Sequence, residues 1–113
     1  MSTYYKKKPT PETLLKRDIK NLLRTLGIFN FPVLQGLGAT PGIPDILGIY
    51  KGRFVGIECK APGGKPSEHQ KRFLEIIREQ GGIAILAYSV SDVIEGLGVQ
   101  DRFLDFQPEQ ARK

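Results

Sequence analysis

A chain of 113 residues suits one domain with one core, and it can bury enough apolar surface to fold without disulfides or a structural metal. Its hydrophobic fraction of 40% and charged fraction of 26% are those of an ordinary globular protein, and no apolar run approaches the ~20 residues of a membrane span. The lone cysteine, Cys59, excludes an intrachain disulfide, and a net charge of +5 favours polyanionic partners without identifying one.

Residues 1–9 read as a flexible basic arm, with Lys6, Lys7 and Lys8 in a row and no apolar period. Such an arm is either a solvated tail or a segment that touches phosphates. It lacks the apolar stretch of a secretory signal; with the single thiol, this points to a reducing cytoplasm, a host's cytoplasm if the source is a phage. Thr10 then reads as a helix N-cap, with Pro11 at the first helical position and Glu12 in the first turn. Leu15, Ile19, Leu22, Leu23 and Leu26 follow at helical spacing, and Gly27 supplies the stop. Glu12 extends the buried stripe at its N-terminal end, an odd place for a carboxylate.

Phe31 to Gln35 reads as a short edge strand, because Pro32 cannot donate to an inner ladder. Gly36 to Pro44 is a Gly/Pro-rich loop. Asp45 to Tyr50 and Arg53 to Lys60 are strand-like, and Lys51-Gly52 between them predicts a tight hairpin turn. After a second loop, Ala61 to Pro66, Ser67 opens a helix running to about Gln80, with Phe73, Leu74 and Ile77 on one face. Gly81-Gly82 ends it. The continuous apolar run from Ile83 to Tyr88 reads as a buried central strand. Ser91 reads as the cap of a last helix, Asp92 to Leu97. One domain thus covers residues 10–99, and residues 100–113 are a tail, loosely docked or disordered, with Phe103, Leu104 and Phe106 as its apolar residues. The expected class is α/β, an αβββαβα order with a mixed central sheet flanked by helices on both faces.

The chemistry lies in the hairpin. With a two-residue turn, Tyr50 pairs with Arg53 and Asp45 falls opposite Glu58, on the face that Lys60 shares. Facing carboxylates in an apolar hairpin need one proton or a cation between them. A hard divalent ion such as Mg2+, with one or two carboxylates plus water and phosphate oxygens, answers that need. The bland alternative pairs Glu58 with Lys60 and leaves Asp45 to cap the loop. Ser67 and Gln70 form a capping box, yet Gln70 also lies on the apolar face and can point back at the sheet. His69 reads as a surface residue, and Cys59, alternating to the other face, as buried packing.

Gly42-Ile43-Pro44-Asp45, Ile57-Glu58-Cys59-Lys60, Gly63 or Gly64, and Ser67 with Gln70 together closely resemble the VRR-NUC domain, a branch of the PD-(D/E)xK nuclease superfamily. The resemblance runs from about Glu12 to Leu97 and includes the Gly-Gly after the second helix and a Ser-x-x-Asp-Val-Ile start to the last. The Val-Arg-Arg tripeptide of the branch's name does not occur. The resemblance implies a restriction-endonuclease-like core and a Mg2+- or Mn2+-dependent endodeoxyribonuclease. Asp45, Glu58, the Cys59 backbone carbonyl and Glu12 become the metal-site residues, and Lys60 the catalytic lysine assisted by Gln70. Lys6, Lys7, Lys8, Lys65 and Lys71 are the candidate DNA contacts. Such relatives include Holliday-junction resolvases, so a homodimer acting on branched DNA is the expected form; a non-catalytic nucleic-acid-binding module of the same fold is the alternative.

Overall fold

The computed structural model describes residues 8–34 and 40–103. Helix α1 (Pro11–Leu26) starts where the capping pattern requires, with the Thr13 amide donating to the Thr10 hydroxyl at 3.1 Å. It ends at Gly27 in the left-handed region, φ 74°, where the chain turns without a Cβ penalty. Ile19, Leu23 and Leu26 form its buried stripe. Then come β1 (Phe29–Pro32), β2 (Ile46–Tyr50), β3 (Arg53–Cys59), α2 (Glu68–Glu79), β4 (Ile83–Ala87) and α3 (Val90–Leu97), followed by a 3-10 turn, Gln100–Phe103. The class is α/β: one open, mixed sheet in the order β1-β2-β3-β4, with β1, β2 and β3 antiparallel and β4 parallel to β3.

Alternation along β3 assigns the two faces. Val55, Ile57 and Cys59 join a core with Ile19 and Leu23 of α1 and Val93 and Leu97 of α3. Gly56 looks the other way, and a Cβ built on it would meet the Ile77 side chain of α2 at 2.5 Å. The α2 helix therefore lies close on the opposite face, held there by Leu74 and Ile77, both 4% exposed. Fully burying side chains of this kind stabilises by about 1.5–3 kcal/mol each. Phe103 packs against the core, so the first residues of the expected tail are docked; Leu104 and Phe106 lie outside the described residues. Among the described residues, no helix is long and apolar enough to cross a membrane.

Four boundaries or placements differ from the sequence reading. The first strand is Phe29–Pro32 rather than Phe31 to Gln35; Gln35 lies outside the described residues. It starts early because Asn30 faces Gly48, whose missing Cβ leaves room for the Phe29 carbonyl at the closest approach. It is an edge strand, as Pro32 required. The strand Ile83–Ala87 is not central: it ends the sheet beside β3. Its apolar run arises because helices cover both its faces, a condition that does not need a strand on each side. The last helix begins at Val90, capped by Ser89, whose hydroxyl accepts from the Asp92 amide at 3.1 Å; Ser91 is an exposed residue within the helix. The strands end at Ile46 and Cys59, one residue short of Asp45 and Lys60, whose side chains serve the site while the Asp45 carbonyl still accepts the Val33 amide and the Lys60 amide still donates to the Ala87 carbonyl.

The stretch leading to Asp45 is pinned against α2. Gly42 has φ 79°, and an added Cβ would come within 2.2 Å of the His69 carbonyl oxygen in the first turn of α2. Gly42→Ala should therefore lower stability by at least about 1–3 kcal/mol, the cost of a non-glycine residue held in that region. Urea unfolding measures it, and an unchanged midpoint contradicts the packing described.

Candidate active site

The Lys51-Gly52 turn puts both residues in the left-handed region, φ 52° and 77°, as a two-residue hairpin requires. The resulting register pairs Tyr50 with Arg53 and Ile46 with Ile57, and continuing it by one pair sets Asp45 opposite Glu58. The ladder does not close there. Asp45 instead accepts the Cys59 amide on Oδ2 at 2.8 Å, which fixes its carboxylate against the end of β3.

Glu58 is the only buried charged residue among the described ones, 2% exposed. Its Oε2 accepts Gln70 Nε2 at 2.9 Å and lies 3.5 Å from Lys60 Nζ. Its Oε1 is buried with no hydrogen-bond partner. A buried acceptor left unsatisfied costs about 1–3 kcal/mol, more when it is charged. Burial, then the Asp45 charge, push the Glu58 carboxyl up to about 7, while Lys60 pulls it partly back. Glu58 thus carries an unmet demand for a cation or a proton.

Gln70 fills both roles open to it. Its Oε1 accepts the Ser67 amide at 2.8 Å in a complete capping box, while its Nε2 holds Glu58. Glu12 reaches the site indirectly: it pairs with Lys16 at 3.5 Å, and Lys16 pairs with Asp45 Oδ1 at 3.4 Å. Burial lowers the Lys16 pKa, but Asp45 and Glu12 outweigh it and leave it raised. Lys16 was missed in the sequence; its position four residues after Glu12, on the same helical face, is the signal that marks it. Burial, then Asp45, push the Cys59 thiol up to about 12, which makes it packing and no nucleophile near neutral pH.

The remaining candidates stand apart from this cluster. His69 is exposed. Lys8, Lys65 and Lys71 are exposed too, and Lys71 pairs with Glu68 at 3.1 Å; Lys6 and Lys7 lie outside the described residues. Among the described residues, no group of three or more His, Cys, Asp or Glu side chains is placed to hold a metal. Two carboxylates, with an orphaned buried oxygen on one of them, offer hard oxygen ligands, which fit Mg2+ or Mn2+ and not a thiolate or imidazole metal. Compared with known proteins, the chain matches no protein-family model, and no curated protein matches it.

The raised Glu58 pKa sets a sign for stability. Between its ordinary value of 4.5 and about 7 the native state holds a proton that the unfolded state has lost. Stability therefore falls as pH rises through that window, by about 3 kcal/mol from this group at full ionisation. In chelator, Glu58→Gln should remove this slope and be the more stable form above the window. Urea unfolding at several pH values measures it; parallel pH profiles for the two proteins contradict the assignment.

Proposed function

We propose that the protein is a Mg2+- or Mn2+-dependent DNA nuclease of the PD-(D/E)xK type, built on a restriction-endonuclease-like core. It hydrolyses phosphodiester bonds, selectively in branched DNA such as Holliday junctions, and acts as a homodimer. The observation that carries this reading is Glu58: a buried carboxylate facing Asp45, with one oxygen unpartnered and a lysine at the other. A structural ion pair has no need of the orphaned oxygen or the second carboxylate. The motif resemblance supplies the reaction class.

Asp45, Glu58 and the Cys59 carbonyl are the residues that would hold the ion, with Glu12 tied in through Lys16. The chemistry available with such an ion bound is polarisation of a phosphate and acidification of water at neutral pH. Gln70 fixes Glu58 from α2, leaving Oε1 as the oxygen that would ligate the ion. Lys60 brings a positive charge to the same carboxylate, where it would offset charge building on the phosphate or hold the attacking water. Homodimerisation follows from size: a small chain has little surface to enclose a junction, and a twofold pair presents two sites to it. Light scattering should accordingly give twice the chain mass of 12.6 kDa.

The test is cleavage of labelled four-way junction, flap, duplex and single-stranded DNA with Mg2+, Mn2+ or chelator. Metal-dependent cutting is expected, with a preference for the branched substrates. Lys60→Ala should cut slower by on the order of 100-fold or more while still binding metal and DNA. Full activity in that variant contradicts the scheme, and DNA binding without cutting under any condition assigns the chain to a non-catalytic module.

A further inference from the structure

Helix α1 carries a line of cations that starts at the carboxylate cluster and runs on beyond it. Lys16, which reaches Asp45, is followed at four-residue steps by Lys20 and Arg24, with Arg17 alongside. At a helical rise of 1.5 Å per residue this line runs about 12 Å along the outer face of the helix. One shallow cleft is lined by Lys16, Arg17, Lys20 and Arg24; a second shares Lys20 and Arg24 and runs on to Phe29 and Asn30. No acidic residue lines either. Among the described residues, Arg17 and Lys20 pair with no carboxylate, and Arg24 donates only to Asn21. At the far end Phe29 is 64% exposed on the edge strand, its ring 5.9 Å from that of Phe31.

Unpaired cations spaced along a groove, ending in an exposed aromatic ring, match the two needs of a single strand of nucleic acid: charge along the backbone and a flat face for a base. An acidic peptide would satisfy the cations but leaves the ring without a role. We propose that this face of α1 is a single-strand track. A DNA strand leaving the carboxylate site passes Lys16, lays its phosphates along Arg17, Lys20 and Arg24, and stacks a base on Phe29. The assignment rests on the nuclease reading for where the strand comes from, and it makes one arm of a branched substrate single-stranded at the protein.

Binding in chelator separates the track from catalysis. Fluorescence anisotropy with labelled single-stranded and duplex DNA, across a salt series, compares the wild type with Lys20→Gln/Arg24→Gln, Arg17→Gln and Phe29→Ala. Arg72→Gln/Arg78→Gln on α2 removes the same charge elsewhere. Losing two phosphate contacts should flatten the slope of log K against log salt by about 1.4 for the single strand, and the α2 pair should leave it unchanged. Phe29→Ala should weaken single-strand binding about tenfold and spare duplex. An unchanged slope in both α1 variants, an equal effect from the α2 pair, or competition by polyglutamate as strong as by DNA would overturn the track. Cleavage by a wild type whose DNA binding ignores α1 refutes the track and leaves the nuclease standing; α1-dependent binding with no cleavage in Mg2+ or Mn2+ does the reverse.

Discussion

A two-residue turn leaves the β2–β3 hairpin one register, and that register carries two carboxylates to the same place. Lys51 and Gly52 both adopt left-handed geometry, so Tyr50 must face Arg53, and the count runs down the ladder to Asp45 and Glu58. A slip of one residue would send Asp45 to the other face and dissolve the pair. Like charges opposite one another oppose strand pairing, and the sheet yields there: β2 starts at Ile46, and the Asp45 side chain takes the Cys59 amide. The conflict is thus turned into a fixed geometry.

The helices then decide what each carboxylate still lacks. From α1, Lys16 satisfies one oxygen of Asp45, and Glu12 steadies Lys16. From α2, Gln70 reaches Glu58, and the same side chain completes the cap that starts its helix, so the orientation of α2 and of the carboxylate are set together. Gly42 lets the chain before Asp45 pass against that first turn. What remains unsatisfied is one oxygen of Glu58, in a setting too buried for bulk water to meet the need. Stability has been given up at this point, as is common where a protein prepares a site for a ligand.

Much of this was legible in the residues. Thr10-Pro11 and Gly27 bound α1 closely, Ser67 with Gln70 marked the start of α2, and Lys51-Gly52 gave the register that places the carboxylates. What escaped depends on cover, partners or cap geometry that composition does not report. The run Ile83–Ala87 is apolar because helices lie on both its faces, although it sits at the end of the sheet. Ser89 and Ser91 are equally good capping residues, and only the amide geometry at Asp92 chooses between them. Lys16 was not singled out, since its partner Asp45 is distant in sequence. The position of β1 was set by the missing side chain of Gly48 on a strand that comes later in the chain.

The central claim is that the pair of Asp45 with the buried Glu58 is completed by a hard divalent cation. Calorimetric titration with Mn2+, at a pH above the Glu58 transition, tests it without any substrate. The expected result is one ion per chain in the wild type, with protons released if the titration is repeated near the transition, and no measurable site in Glu58→Gln. Absence of binding to the wild type, or an affinity that Glu58→Gln leaves intact, would contradict the account.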